Sequence, residues 1–455
     1  MFRKGIGHQT SGTGQSQATG IRQQASGKRP YVGRTDLWSA AVLALLLLAR
    51  SASAQTPAIP KVEFDDAIQR AVANNPTVAQ AAVAIPRAEA LVAQARALTR
   101  PTASAAFGNT TLDSARGFAG GITQPQNQSS LSGDVTVPLL NLSRWANVSQ
   151  ARDQVEIAQI STANVRRDIA VATAQTYLAV LAARRQVDVD QRALDAAGAH
   201  VDYAQKRVQG GSGSRLNELR AAGSASTAAS RLEGSRLAVR RAQEALGVLI
   251  VANGPADAGA DPSFDIPATV SDDDWIKARP DVQVQMAAQR AAERVVRDSW
   301  RDAAGTASVS FDPQLIAPKG LFQPNGTWRL SFSFSQPLFE GGLRKAVLRG
   351  RELQVEQTKL ALSGVELRAR SEIRIAQESV TSYERALDSA RLAATQANDV
   401  LRITTSAFEV GATTNIEVID AQRSARDAET LAVVEEDGLR RAKLDLLVAI
   451  GRFPK

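Results

Sequence analysis

The stretch Thr327-Trp328-Arg329-Leu330-Ser331-Phe332-Ser333-Phe334-Ser335-Gln336 alternates strictly. Trp328, Leu330, Phe332 and Phe334 fall on one side of an extended chain, and Arg329, Ser331, Ser333 and Ser335 on the other. A period of two predicts a strand. From Pro337 the pattern turns helical and stays so to Glu409. At ~1.5 Å per residue such a helix is on the order of 100 Å long. A short amphipathic strand that feeds so long a helix does not suit a compact domain, because the helix overruns any cover it gives the strand.

The same order occurs roughly 200 positions upstream. Ser130 to Val137 alternates, with Leu131, Gly133, Val135 and Val137 against Ser130, Ser132, Asp134 and Thr136. Leu131-Ser132, Val135 and Pro138 match Leu330-Ser331, Phe334 and Pro337. A seven-residue ladder, Val180, Val187, Leu194, Val201 and Val208, ends at Gly211; its counterpart, Val380, Leu387, Ala394, Leu401 and Phe408, ends at Gly411. Asn74-Asn75-Pro76 corresponds to Ala278-Arg279-Pro280. A third ladder, Leu353, Leu360 and Leu367, slips by one position before Ile373, Val380 and Leu387, a register break that changes the winding of a seam. Seven-residue spacing calls for partner helices.

The predicted fold is mainly α with a small β part, built as two internal repeats. The first occupies 55–253, with helices over 63–98, strands at 102–112 and 129–137, and helices at 138–209 and 214–252. A linker rich in Gly, Pro, Ala and Asp spans 254–271. The second occupies 272–455, with helices over 275–303, strands at 306–316 and 327–336, and helices at 337–409 and 414–450. Prolines place interruptions near Pro86 and Pro280. Asp113 to Gln128, rich in Gly, Gln, Asn and Ser, reads as an exposed loop.

Residues 1–54 read as a leader and signal peptide. The apolar run Leu37 to Ala49 follows basic residues and leads into Ala52-Ser53-Ala54, a small-x-small cleavage site. That run is too short for a transmembrane helix, which needs about 20 residues. The formal charge of +8 is concentrated in this leader. Without it the chain is nearly neutral, so no nucleic-acid partner is expected. Cysteine is absent, which excludes disulfides, thiol chemistry and a lipidated cysteine.

An exported chain with alternating strands and polar loops carries the pattern of an outer-membrane barrel. The competing source of alternation is a half-buried soluble sheet. Four strands cannot close a barrel, and open edges are not tolerated in hydrocarbon. Two chains would supply eight strands and three would supply twelve; the sequence does not choose between them.

The order helix, strand, strand, long helix, helix, twice over, resembles the TolC family of outer-membrane efflux proteins across residues 62–452. Its marks here are Asn74-Asn75-Pro76, Leu338-Phe339-Glu340-Gly341-Gly342, Phe408-Glu409-Val410-Gly411 and Glu417-Val418-Ile419-Asp420-Ala421. The resemblance implies a homotrimer: a twelve-stranded barrel in outer-membrane lipid, continued by a coiled-coil helical tunnel in the periplasm. It implies docking on a periplasmic adaptor (membrane fusion) protein and an inner-membrane ABC or RND transporter. It places Trp328, Leu330, Phe332 and Phe334 on lipid, and Gly211 and Gly411 at the helix turns. It places Glu417 and Asp420 at the periplasmic mouth as a cation-selective ring. Family members hold that mouth shut with an aromatic, an arginine and an aspartate near the turns. This chain departs there, with Phe408, Thr413 and Asn217 at the three positions, while Arg215 and Glu218 stand close enough to substitute.

No enzyme motif is present and no cofactor is expected. The one histidine after the leader, His200, reads as a helix-surface residue, and a lone histidine makes no metal site. Gly210-Gly211-Ser212-Gly213-Ser214 lacks the lysine of a phosphate loop and reads as a turn between helices. The expected function is an exit channel. The missing lipidation cysteine leans it toward type I secretion of a toxin-like or haemolysin-like polypeptide, with multidrug or metal efflux as the alternative. A surface adhesin or structural coiled coil is the reading from a different class.

Overall fold

The structure, a computed structural model, describes residues 59–266 and 272–454. The expected leader and the end of the expected linker lie outside the described residues.

The first half opens with β1 (Lys61–Val62) and three short helices, α1 (Phe64–Asn74), α2 (Pro76–Ala82) and α3 (Ala84–Ala97). Strand β2 (Thr102–Thr111), a small hairpin of β3 (Arg116–Phe118) and β4 (Gly121–Gln124), and β5 (Asn127–Leu140) follow. Then come α4 (Leu142–Gln209), α5 (Arg215–Leu249) and the short β6 (Asp257–Ala258). The second half runs through α6 (Asp272–Ala278), α7 (Pro280–Asp298), a 3-10 turn, β7 (Thr306–Ala317), β8 (Gly326–Ser335), α8 (Leu343–Glu409) and α9 (Asn415–Ala449). The two long helices have 68 and 67 residues, and α5 and α9 have 35 each. Most described residues are helical.

Several boundaries differ from the sequence expectation, each for a local reason. The helix expected from 138 begins at Leu142, because Pro138 and Leu140 still pair with Ser308 and Ala307, and the Asn141 side chain accepts from the Arg144 N–H at 3.0 Å. The helix expected from 337 begins at Leu343. Gly341 and Gly342, at φ 60° and 91°, hold a left-handed backbone that a right-handed helix cannot include. The break expected near Pro86 falls at Val83 instead. Pro86 sits in the first turn of α3, where its missing N–H costs nothing. The segment expected as a plain loop at 113–128 contains the β3–β4 hairpin, turned by Ala119 and Gly120 at positive φ. The linker region contributes β6, which pairs in parallel with β1.

The two Pro motifs do matching work with different chemistry. In the first repeat, Asn75 accepts from the Thr77 N–H at 2.9 Å and donates to the Leu249 carbonyl at 3.1 Å. It thereby caps the start of α2 and the end of α5 at once. In the second repeat, Arg279 donates to the Ala449 carbonyl at 3.3 Å, the end of α9. Arg279 is buried, and its charge is met by Asp281 at 2.8 Å and Glu372 at 2.7 Å.

The core lies where these short helices meet the middle of the long ones. Tyr177, Leu178 and Val180 of α4, Ile373 and Val380 of α8, and Leu444 and Leu447 of α9 are buried together. Phe64 packs edge-on to Tyr177 at 5.3 Å. The Tyr177 hydroxyl donates to the Ala260 carbonyl at 2.8 Å, and burial first, then Glu63, push its pKa up to about 12.

Candidate functional site

The four-stranded sheet has the order β2-β5-β7-β8, antiparallel throughout. Directly paired residues point the same way, so the register builds two faces of opposite character. On one, Val135 pairs with Phe311 and Phe311 with Leu330; Val309 pairs with Phe332 and Ala307 with Phe334. On the other, Thr136 pairs with Ser310 and Ser310 with Ser331, while Asp312 faces Arg329. Among the described residues nothing covers the apolar face: Trp328 is 71% exposed and Phe332 68%. Among the described residues, strands β2 and β8 are the edges of this sheet, each with one unpaired ladder of backbone groups. No described helix is long and apolar enough to cross a membrane.

At the far ends of the long helices, two hairpin turns share one design. Gly211 and Gly411, at φ 74° and 79°, supply the left-handed residue that ends α4 and α8. Ser214 then caps α5 by accepting from the Leu216 N–H at 3.2 Å, and Thr414 caps α9 by accepting from the Glu417 N–H at 3.4 Å. Glu417 and Asp420 are both exposed, one turn apart, while their neighbours Val418 and Ala421 are buried. The matching positions of the first repeat hold Asn217 and Arg220. The second hairpin is thus acidic where the first is neutral or basic.

The expected latch residues are arranged differently from a charged bridge. Phe408 is buried against His200 and Tyr203, with ring centroids 5.2 and 5.5 Å away. Thr413 carries a buried hydroxyl without a partner. Arg215 and Glu218 pair with each other at 2.5 Å on α5, so they do not span the two turns within the chain. The link between the turns is one the sequence reading missed. His200, expected on the surface, is buried, and its Nε2 lies 2.6 Å from the Asn415 side-chain oxygen. Asn415 also donates to the Asn217 carbonyl at 3.4 Å, joining α4, α9 and α5 at one point. Burial lowers the His200 pKa from 6.5, and the Asn415 hydrogen bond only partly opposes it.

A second missed link lies further along. Asp190 of α4 is buried and accepts from Arg426 of α9 at 3.1 Å. Its signal was available: Asp190 follows Val187 by three on the ladder side of α4, where a carboxylate needs a cationic partner.

An open four-stranded sheet with one apolar face, continued by helices of this length in two matching halves, is the architecture of an outer-membrane channel. The chain belongs to the outer membrane efflux protein family, whose model matches residues 67–250 and 276–452. It lies in the outer membrane and extends into the periplasm. Among its relatives is outer membrane protein OprJ of Pseudomonas aeruginosa, 25% identical over 451 residues, a match covering 93% of this chain and 91% of OprJ. The fold is shared with the outer membrane protein VceC of Vibrio cholerae, with a TM-score of 0.71 at 19% identity over 85% of this chain and 96% of VceC. It is shared also with the open state of the MtrE channel of Neisseria gonorrhoeae, with a TM-score of 0.72 at 18% identity over 85% of this chain and 88% of MtrE.

Proposed function

We propose that three copies of this chain close a twelve-stranded barrel and a continuous helical tunnel, the exit channel of a tripartite exporter. The observation that carries this reading is the sheet: four strands, one uncovered apolar face and two free edges. A membrane tolerates such a sheet only when its edges are paired. Pairing β8 of one copy with β2 of the next satisfies both edges at once. A periplasmic adaptor and an inner-membrane ABC or RND pump complete the path. Glu417 and Asp420 form a ring of carboxylates at the periplasmic mouth that attracts cations. Strand residues Trp328, Leu330, Phe332 and Phe334 face lipid.

The cargo we assign is small solutes, in keeping with the efflux family and the resemblance to OprJ. Export of a polypeptide by a type I system is the second reading, favoured by the cysteine-free sequence, which offers no lipid attachment point. Two measurements test the proposal. The purified protein should give stepwise conductance in a planar bilayer; a protein that inserts without conducting would refute the channel. Deleting the gene from its host should raise retention of a fluorescent efflux dye. Unchanged dye retention, with a polypeptide lost from the medium, would replace the first cargo with the second.

A further inference from the structure

One end of the four-stranded sheet carries a collar where strands give way to helices. There β2 begins at Thr102, β5 ends at Leu140, β7 begins at Thr306 and β8 ends at Ser335. The register sets these positions together, with Thr306 opposite Ser335 and Ala307 opposite Leu140. Side chains then tie the flanking segments to one another. Arg144 donates to the Leu98 carbonyl at 2.7 Å, the Ser143 hydroxyl donates to Asp302 at 3.0 Å, and Gln336 donates to the Ala303 carbonyl at 2.9 Å.

The collar is basic in a chain that otherwise is not. Residues 96–101, 138–149, 297–305 and 336–350 hold eight Arg and Lys against three Asp and Glu. Residues 55–455 as a whole hold 47 against 45, so the rest of that stretch is net acidic. The loops at the opposite end of the sheet, 112–126 and 318–325, hold two cations and one acid. The three acids of the collar are already engaged: Asp298 with Arg301 at 3.5 Å, Asp302 with Arg351 at 2.7 Å and Glu340 with Arg344 at 2.8 Å. Arg96, Arg100, Arg297 and Lys345 are exposed and, among the described residues, form no ion pair.

Large apolar side chains stand among these charges. Trp145, Trp300, Leu98 and Leu343 are exposed, and Leu338 and Phe339 are 91% and 90% exposed. The loop that carries the last two is held at both ends. Gln336 fixes its start, Arg344 donates to the Pro337 carbonyl at 2.9 Å, and Gly341 and Gly342 turn the chain into α8. Strand β8 has 10 residues. At ~3.3 Å per residue and a tilt of about 45° it rises ~23 Å, close to the height of the apolar band of a membrane barrel. The collar therefore falls where acyl chains end and headgroups begin. Exposed aromatic rings beside unpaired cations match that boundary, since the rings suit the interface and the cations suit phosphate.

We propose that this collar binds anionic phospholipid headgroups of the periplasmic leaflet. Arg100, Arg297 and Lys345 hold the phosphates, and Leu338 and Phe339 enter the adjoining acyl layer. The inference rests on the lipid-facing sheet proposed above, and adds a lipid class and the residues that select it. Such a collar fixes the depth of the sheet in a chain that has no cysteine to carry an acyl anchor.

The test is tryptophan quenching in the full-length protein carrying Trp328→Phe, reconstituted in phosphatidylcholine vesicles. Trp275 is buried, so Trp145 and Trp300 are the exposed tryptophans left among the described residues. A minor fraction of brominated phosphatidylglycerol should quench them about threefold more than the same fraction of brominated phosphatidylcholine. Arg100→Gln/Arg297→Gln/Lys345→Gln should bring the two lipids level, whereas Arg402→Gln, far along α8, should keep the preference. If the triple variant fails to insert, high salt should abolish the preference of the unaltered collar, since screening weakens exposed charges. Equal quenching by the two lipids, or a preference that survives both the triple variant and salt, would overturn the proposal. Adding Phe339→Trp should add quenched emission; unquenched emission would seat that loop against another copy of the chain and overturn its place in lipid. Conductance of the same vesicles separates the two readings: a conducting protein quenched equally by both lipids loses the headgroup collar and keeps the membrane sheet.

Discussion

At the junction of α4, α5 and α9, burial lowers the pKa of His200 while its bond to Asn415 ties two hairpins together. The folded protein therefore takes up the histidine proton at a lower pH than the unfolded chain. The stability this neutral ring contributes is fully present above pH 6.5 and is lost as the pH falls through the lowered folded value. The melting temperature of the wild type should fall more between pH 7.5 and 5.5 than that of His200→Gln; parallel falls would show that other groups carry the pH dependence. Glu417 and Asp420 answer to a different measurement. Glu417→Gln with Asp420→Asn should leave assembly intact and shift the reversal potential in a salt gradient toward no cation preference. Unchanged selectivity would remove both residues from the pore. Glu417 and Asp420 are proposed from the family resemblance, whereas the contact of His200 with Asn415 was not legible. His200 stands beside ladder position Val201, while the true contact face holds Ala197 and Ala204, whose small side chains barely register as hydrophobic.

The strands were the most legible elements, because a period of two survives any tertiary context. Phe332 and Ser333 are neighbours in β8 on opposite faces. Arg at Phe332 should cost about 2–4 kcal/mol per chain near the bilayer centre, whereas Arg at Ser333 should cost much less. The yield of heat-resistant assembled protein in outer-membrane fractions reports the difference, and equal yields would mean the register is shifted. The long helices were legible in kind but not in partner. Leu353, Leu360 and Leu367 are 47%, 66% and 64% exposed, whereas Ile373, Val380 and Leu387 beyond the register slip are buried. The slip therefore marks where the α8 ladder leaves the surface and enters the seam inside the chain. A single sequence displays the ladder but not the helix that covers it.

For the whole molecule, the exposed leucine stripe of α8 and the open edges of the sheet ask for the same remedy, further copies of the chain. Mass measurement in mild detergent should return three chains, and a stable monomer or dimer would refute the closed barrel. The sequence contained the duplication but not the closure, because the number of strands fixes only the need for partners and not how many. The duplication has a further consequence through inheritance. Around the proposed threefold ring every structural position of the hairpins would occur six times, yet each codon would be read only three times. A nucleotide change at Asp420 leaves its counterpart Arg220 untouched, so in the proposed ring one set of hairpins is free to change while the other keeps its own sequence. Asn75 and Arg279, which cap the same helix end with an amide in one half and a guanidinium in the other, record how far that divergence has already gone.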